Sequence, residues 1–292
     1  MKIGLLSSNF SVASARVLKE TAEKFGHEID FIDYRDIRMG ALGRNGWAIY
    51  WKSRNLRDYD ILIPRFFAYY HHDYKLSLLE HLRYMGILTL NSVRTYEICK
   101  NKFRTAQVLQ ANNIPTPATR IAITPESAMR SVRNMKKPVV LKLLNGSKGL
   151  GVMKFSTNIE VLSVLETASV LDQQLIFQQY IENPGVDYRV FVVGGKAIEP
   201  VIKRKAKKGE FRSNINRGGQ SSRVYGMDSL KKLAEQCSKA VDADILGVDI
   251  IVSRDGKPYV IELNCSPGFS TPDRAEAIIK WAEKKVNNSR SC

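Results

Sequence analysis

The sequence predicts an α/β protein with more than one domain, and three features carry that prediction. Residues 2–6, 13–25 and 27–34 have the patterns of a strand, an amphipathic helix and an alternating strand, which together make a βαβ unit. The proline-containing stretch 114–117 ends a long predicted helix and marks a domain boundary. Gly247 to Gly268 predicts two apolar strands joined at an Asp-Gly turn. At 292 residues, the chain has room for about two or three domains.

The N-terminal part of the chain is expected to form one small α/β domain. Further strands are predicted at Tyr59–Pro64 and Ile87–Asn91, with a helix at Lys75–Met85 between them. Ser7-Ser8-Asn9 follows the first strand, so the GxGxxG fingerprint of dinucleotide-binding proteins is absent. A helix at Thr95–Asn112 then leads to the domain boundary.

The second part of the chain alternates helices with strands. The predicted elements are, in chain order, a helix at 127–135, strands at 138–144 and 152–155, a helix at 158–170, strands at 175–179, 188–193 and 196–202, a helix at 229–242, the hairpin above and a last helix at 274–286. Gly194-Gly195 joins two of these strands as a tight turn.

Composition and charge narrow the classes of function. Apolar residues make up 44% of the chain and charged residues 25%, and no apolar run is long enough for a membrane span. The N-terminus lacks a signal-peptide pattern and the four cysteines lack CxxC spacing, so we expect a cytoplasmic protein without a disulfide framework or zinc site. The net charge of +16 predicts a polyanionic partner. Nucleic acid, nucleotide phosphates and acidic substrates all fit, although no nucleic-acid-binding motif is present.

Three oxygen-bearing side chains are predicted to share one face of the hairpin. Glu262 and Asn264 are two residues apart and therefore point to the same side of a strand, and normal pairing brings Asp249 beside them. Oxygen ligands of this kind suit Mg²⁺, so the pattern predicts a metal site. The alternative is a hairpin whose polar residues simply face water. Cys265 lies next to this face, but its soft sulfur does not suit magnesium.

A glycine-rich loop at 145–151 follows the strand that contains Lys142. Backbone N–H groups in such a loop can cradle a phosphate, but the loop does not match GxxxxGK[ST] and is equally a plain hairpin tip. Lys142 lies in an apolar strand, where it must reach water or meet an anion such as a triphosphate. Lys102 supplies a second candidate cation. The linker after Leu175–Ile181 exposes backbone that can pair with an adenine edge, followed by a carboxylate for ribose hydroxyls.

An aromatic run occupies Phe66 to Tyr74. It is either a packed loop between domains or a wall for an acceptor substrate, such as one with a planar ring. His71 and His72 are adjacent in the sequence. Adjacent side chains seldom face the same metal ion, so neither histidine is taken as a metal ligand.

These pieces, in this order, resemble the ATP-grasp carboxylate–amine ligases, and more closely the RimK-type α-L-glutamate ligases. The similarity covers nearly the whole chain. The segments that carry it are MKIGLLS, DILIPR, NKFRTAQVLQANNIPTP, PVVLKLLNGSKGLGV, QQYIE, KAKKGEFRSNINRGG, LGVDII and IELNCSPG. The last two segments, together with FRSN and RGG, are the most specific.

The resemblance implies a three-lobed ATP-grasp fold. An N-terminal pre-ATP-grasp α/β domain would span residues 1–94, a small central α+β lid domain residues 95–178, and a C-terminal α+β domain with the metal site residues 179–292. ATP would lie between the last two domains. The protein would be a homo-oligomer, either a dimer or a tetramer.

The resemblance also assigns roles to residues. Those expected to hold ATP are Lys102 and Lys142 at the phosphates, Gln179, Tyr180 and Ile181 at the adenine, Asp187 near the ribose, and Arg212, Ser213 and Asn214 at the phosphates and reacting groups. Two Mg²⁺ ions, with Mn²⁺ as a substitute, would be bound by Asp249, Glu262 and Asn264, with Glu262 bridging. At the adenine linker, Gln179 stands where the family usually has an acidic residue. This departure from the family pattern is mild if the adenine is bound by backbone atoms, because these do not depend on the side chain.

Arg204 and Arg217 are the candidates for binding substrate carboxylates, because a guanidinium can form two parallel hydrogen bonds with a carboxylate. The alternative is that both are solvated surface arginines. Arg204, Arg212 and Asn214 are the residues expected to act in the reaction itself.

The reaction that the resemblance implies needs no protein nucleophile. An acceptor carboxylate attacks the γ-phosphorus of ATP, and the α-amine of L-glutamate then attacks the resulting acyl phosphate. The acceptor would be acidic, either the C-terminus of a ribosomal protein or an archaeal cofactor such as the deazaflavin coenzyme or tetrahydromethanopterin. No membrane and no specific nucleic acid would take part.

Other classes of function remain open on the sequence alone. The carrier-protein glutamate ligases of lysine biosynthesis usually continue differently after the Glu-x-Asn pair. D-alanine–D-alanine ligases and glutathione synthetases share the metal face, and NCSPGF suits the former, but the FRSN and RGG segments argue against both. A basic nucleic-acid-binding module with a decayed nucleotide site would bind RNA in a salt-sensitive way and would not turn over ATP.

Overall fold

The chain folds into four β-sheets with helices packed against them. The computed structural model describes residues 1–67, 70–144, 151–170, 174–207 and 218–291. Within these ranges the strands are β1 (Lys2–Ser7), β2 (Glu28–Asp33), β3 (Ile37–Ala41), β4 (Trp47–Trp51), β5 (Arg54–Asn55), β6 (Ile61–Pro64), β7 (Thr119–Ile121), β8 (Val139–Leu143), β9 (Val152–Phe155), β10 (Leu175–Gln179), β11 (Val186–Val193), β12 (Lys196–Lys205), β13 (Gln220–Val224), β14 (Ile245–Val252) and β15 (Pro258–Asn264). The α-helices are α1 (Ala13–Lys24), α2 (His72–Tyr84), α3 (Val93–Lys100), α4 (Lys102–Ala111), α5 (Pro125–Arg133), α6 (Asn158–Val170), α7 (Asp228–Ala240) and α8 (Pro272–Arg290).

The N-terminal sheet is parallel, in the order β2-β1-β6. Alternate residues of β1 point to opposite faces, so Ile3 and Leu5 pack against α1 and α8 while Leu6 packs on the side of α2 and α3. The last helix of the chain therefore covers one face of the first sheet. The predicted βαβ opening is confirmed.

Two predictions for this region need correction, and one sheet was not predicted. Ile87–Asn91 is not a strand, because it forms only one bridge, from Thr89 to Leu62, before Asn91 turns to bond with the backbone of Ile245. The helix predicted at 95–112 is two helices, since the Asn101 side chain accepts hydrogen bonds from the next turn and begins α4. The small antiparallel sheet β3-β4-β5 was not predicted.

The central sheet is antiparallel, in the order β7-β10-β8-β9. Helices α5 and α6 cover one face, where Val139, Leu141 and Phe177 are buried among their apolar residues. The opposite face carries Lys142 and Gln178, which alternate with those core positions and point toward the C-terminal sheet.

The C-terminal sheet has five strands in the order β13-β12-β11-β14-β15. Helix α7 packs on one face, where Val248, Ile250 and Val260 are fully buried. Asp249 lies directly opposite Glu262 in the β14–β15 pairing, next to a β-bulge. Within the described ranges, no helix is both long and apolar enough to cross a membrane.

The turn between β11 and β12 allows a direct test of the fold. Gly194 and Gly195 both have positive φ (57° and 77°), but a Cβ on Gly194 would collide with the Trp281 ring, whereas a Cβ on Gly195 meets nothing within 4 Å. We expect Gly195→Ala to lower the free energy of unfolding by about 1 kcal/mol through backbone strain. Gly194→Ala should cost about 1–3 kcal/mol more because of overpacking. Urea denaturation measures both; equal losses would contradict the Trp281 contact.

Candidate active site

The face predicted for metal binding is formed by the β14–β15 hairpin. Asp249 pairs with Glu262 across the two strands, and Asn264 pairs with Gly247. The three side chains therefore follow one another on one side of the hairpin, which we call the carboxylate face (Asp249, Glu262 and Asn264). Asn264 also accepts a hydrogen bond from the Ser266 backbone through Oδ1. Among the described residues, no three His, Cys, Asp or Glu side chains form a metal-binding group, so the face offers two carboxylates and one amide.

Two arginines hold Asp249 in place. Arg189 donates from Nε to Oδ1 at 2.7 Å and from Nη2 to Oδ2 at 2.6 Å, and Arg204 Nη2 reaches the same Oδ2 at 2.9 Å. Asp249 is only 3% exposed. Burial raises the pKa of this carboxyl, but the charges and hydrogen bonds of Arg189 and Arg204 outweigh it and hold the pKa well below its usual range.

Arg204 extends this arrangement to a second buried carboxylate. Its Nε donates to Asp187, which lies opposite it in the β11–β12 pairing. Arg204 and Asp187 are each 4% exposed, so Arg204 is a buried, paired residue and not a solvated surface arginine. Asp187, the residue predicted near a ribose, is thus placed in this charge network.

Arg189 was missed by the sequence analysis. It lies in an apolar strand two residues after Asp187, so both side chains point to one face of β11. The two-residue spacing of Asp187 and Arg189 is the sequence signal that could have identified Arg189 as a site residue. A single arginine in such a strand, however, does not reveal which carboxylate it pairs with.

The two predicted phosphate-binding lysines line one pocket together with Glu262. The pocket lies between α4, the central sheet and β15, and Thr105 and Gln178 also line it. Lys142 Nζ donates to Gln178 Oε1 at 2.6 Å, and Gln178 Nε2 in turn donates to Thr119 Oγ1 at 3.0 Å. The central sheet and the hairpin therefore supply the two sides of the same pocket.

Burial disfavours the charge of both lysines. It lowers the pKa of Lys142 to about 8, with Lys102 adding repulsion and the charges of Glu262 and Asp249 opposing the shift. Burial likewise lowers the pKa of Lys102, where Glu262 again opposes it and Lys100 adds repulsion. Two desolvated cations in one pocket suit an anionic ligand, so a nucleotide polyphosphate fits the residues that are present.

The other predicted nucleotide-binding residues lie at the end of β10. The backbone N–H groups of Gln179 and Tyr180 donate to the carbonyl oxygens of Ala118 and Pro138, and Ile181 is buried. Lys154 Nζ lies 5.0 Å from the centre of the Tyr180 ring. The predictions for Arg212, Ser213, Asn214 and Arg217, and most of the glycine-rich loop, fall outside the described residues.

Comparison with known proteins places this fold and site in a family. A family model described as RimK PreATP-grasp domain matches residues 1–95, and one described as RimK-like ATP-grasp domain matches residues 99–285. A protein named probable alpha-L-glutamate ligase 2 from Pseudoalteromonas atlantica is 35% identical over 100% of this chain and 99% of its own length. One named probable alpha-L-glutamate ligase from Legionella pneumophila is 33% identical over 98% and 96%.

Solved structures share the fold at lower identity. A RimK domain ATP-grasp protein from Sphaerobacter thermophilus has a TM-score of 0.74 at 19% identity and covers 97% of this chain and 100% of its own. A ribosomally-synthesised-peptide-associated (RiPP) ATP-grasp ligase from Chryseobacterium gregarium, in complex with ADP and a leader and core peptide, has a TM-score of 0.73 at 17% identity, with 97% of each chain covered. The TM-scores support the three-lobed α/β ATP-grasp fold, and at this identity the similarity concerns the fold alone.

The pocket and the carboxylate face therefore belong to an ATP-grasp ligase. The family models and full-length relatives make the assignment specific: the chain belongs to the RimK-like ATP-grasp family. It is an ATP-dependent ligase.

The lowered pKa of Lys142 predicts how nucleotide binding depends on pH. Phosphate binds the protonated amine, so affinity for ADP should be constant below about pH 7 and fall as pH rises through about 8, by up to tenfold per unit. Lys142→Met should bind ADP more weakly at neutral pH and with a flatter pH profile. Titration calorimetry between pH 6.5 and 9.5 tests this. A wild-type affinity that does not change with pH would contradict the role of Lys142.

Proposed function

We propose that the protein joins the α-amine of L-glutamate to an acceptor carboxylate, using ATP and Mg²⁺. The observation that carries the proposal is the pocket in which Lys102 and Lys142 line the same space as Glu262 of the carboxylate face. Relatives named as probable alpha-L-glutamate ligases align over the whole chain and support the choice of glutamate. A structural neighbour, the ATP-grasp ligase PsnB, was solved with Mg and ADP, which supports the choice of cofactors.

ATP would be held by residues of the central and C-terminal sheets. Lys102 and Lys142 face its phosphates, while Gln179, Tyr180 and Ile181 border the adenine. Asp187 would lie near the ribose, and Arg212, Ser213 and Asn214, which fall outside the described residues, would close on the phosphates and reacting groups. The lobes proposed for this arrangement are residues 1–94, 95–178 and 179–292. ATP supplies the phosphoryl group that activates the acceptor, and Mg²⁺ neutralises charge on that group.

The carboxylate face would bind two Mg²⁺ ions, with Glu262 bridging them and Mn²⁺ as a substitute. Asp249 accepts one arginine hydrogen bond at Oδ1 and two at Oδ2, so a metal ion would use the remaining lone pair of Oδ1 or compete with Arg189 and Arg204 for the carboxylate. These two arginines also place positive charge beside the carboxylate face. They are therefore suited to hold the carboxylate of a substrate or the phosphate that the reaction releases.

The reaction would proceed in two steps. A carboxylate oxygen of the acceptor attacks the γ-phosphorus, which yields an acyl phosphate and ADP. The α-amine of glutamate attacks the acyl carbon, and inorganic phosphate leaves as the amide bond forms. The protein contributes positioning and charge neutralisation, since no side chain becomes covalently attached to substrate.

Replacement of Glu262 tests the proposal directly. Glu262→Ala should reduce Mg²⁺-dependent ADP release by at least about 100-fold, because a bridging ligand to both ions is lost. The control is Glu80→Ala, which removes a surface carboxylate that pairs with Arg83 and should leave the rate unchanged. Coupled spectrophotometric detection of ADP measures both variants. Full activity of Glu262→Ala would sink the metal assignment.

The acceptor is identified by mass spectrometry. The protein is incubated with ATP, Mg²⁺, L-glutamate and a panel that includes a ribosomal-protein C-terminal peptide, deazaflavin coenzyme and tetrahydromethanopterin. We expect one acceptor to gain glutamyl residues. A panel in which no acceptor gains mass, while ADP forms with another amino acid, would contradict glutamate as the amine substrate.

A further inference from the structure

Arg65 is a buried arginine at the end of β6, and no carboxylate neutralises it among the residues that the structure describes. It is 2% exposed. Its Nη2 donates to the Pro267 carbonyl oxygen at 2.6 Å and to Ser14 Oγ at 3.2 Å. Within the same described ranges, its Nε and Nη1 atoms are buried without any hydrogen-bond partner. This leaves a guanidinium with unused donors inside the protein.

Such a charge is unfavourable in the folded protein unless something compensates it. Burial lowers the pKa of Arg65 to about 10, and the Cys265 thiol is the one described titratable group whose field opposes that shift. The guanidinium carbon lies 5.0 Å from the centre of the Phe67 ring and 5.3 Å from that of Phe269. Ring contacts of this kind stabilise a cation, but they do not satisfy N–H donors. The unused donors call for an anionic acceptor.

A helix N-terminus lies at the same place. Helix α1 has Val12 at its N-cap, and no described side chain caps its first turn. Ser14, in that first turn, is the residue that Arg65 contacts. Unpaired N–H groups at a helix N-terminus attract negative charge. The helix and the arginine therefore favour the same kind of ligand.

Arg65 and the first turn of α1 lie close to the candidate active site. Pro267, which accepts the hydrogen bond from Arg65, lies three residues after Asn264 of the carboxylate face. Gly268, the next residue, is exposed, with open space where a Cβ would be. The loop that leaves β15 therefore reaches the surface one residue beyond its contact with the enclosed guanidinium.

We propose that Arg65 and the first turn of α1 bind a carboxylate of the free amino-acid substrate, L-glutamate. The inference rests on the proposed function and adds a substrate subsite to it. The unused Nε and Nη1 atoms lie on different sides of the guanidinium, so they do not form one parallel pair, but each can donate a charge-assisted hydrogen bond to a carboxylate oxygen. The enclosed position suits a small free amino acid, whereas an acceptor with a larger body needs an open approach.

The test is calorimetric titration of L-glutamate into the full chain with Mg²⁺ and a non-hydrolysable ATP analogue. Arg65→Met, which keeps the contacts with both rings but removes charge and donors, should weaken glutamate binding by about 10- to 100-fold. Arg65→Lys keeps the charge but has one nitrogen in place of the three of the guanidinium, and should lose about 5- to 10-fold. The control is Arg54→Met, which removes an arginine of the N-terminal region that also lies over a ring, that of Trp51, but pairs with Asp30. Its glutamate affinity should stay within about twofold of wild type.

The outcomes separate the subsite from the proposed function. Wild-type affinity in Arg65→Met, together with glutamate-dependent ADP release by the wild type, would overturn the subsite and leave the function standing. A wild type that neither binds glutamate nor releases ADP with it would overturn the function as well. If Arg65→Met raises the KM for the acceptor but leaves glutamate affinity unchanged, Arg65 belongs to the acceptor site and the inference is overturned. Should Arg65→Met fail to fold, the Arg65→Lys titration decides.

Discussion

The ion pair between Arg189 and Asp249 is the interaction on which the candidate site depends. It joins β11 to β14 near the middle of the C-terminal sheet, and Arg204 of β12 links the same carboxylate to Asp187 of β11. Each of these buried charges would be strongly unfavourable alone, so the members fix one another's positions. Glu262 stands beside the end of this row, where Lys102 and Lys142 approach from the other side of the pocket. The C-terminal sheet thus holds several charged side chains in fixed positions next to the pocket.

Elements with a strong period were predictable from the sequence. The βαβ opening and the β14–β15 hairpin follow from apolar periodicity, glycine and Asp-Gly turns. The strand period of two put Glu262 and Asn264 on one face, and the expected hairpin register put Asp249 beside Glu262. The sheet of β3, β4 and β5 was missed because its strands are short, β5 has only two residues, and an arginine and a glycine interrupt the apolar pattern of β3. The split between α3 and α4 was missed because Asn101 caps a helix whose apolar pattern continues across it. Local hydrogen bonding outweighed the pattern in that case.

The sequence indicated which oxygen-bearing and cationic side chains lie together in the candidate site, but it did not indicate how they pair. Lys142 stood out as a lysine in an apolar strand, yet its partner Gln178 lies on another strand and is revealed only by sheet order. Arg65 looked like part of a family motif, and nothing in the sequence indicated that its guanidinium is buried without a carboxylate. Pairing and desolvation depend on residues far apart in the chain, which is why sequence periodicity does not supply them. The resemblance to a known family suggested the roles of individual residues, and the structure showed which side chains lie next to them.

The packing of α8 on the first sheet has a consequence for synthesis on the ribosome. Ile3 and Leu5 of the first strand are buried in the same cluster as Ile278, Ile279 and Val286 of the last helix. A nascent chain therefore emerges with its first sheet lacking the helix that later covers it, and that apolar surface stays open to solvent or chaperones until α8 has been synthesised. Completion of the N-terminal lobe is a late event even though its strands are made first. The first sheet is therefore synthesised before the helix α8 that covers one of its faces.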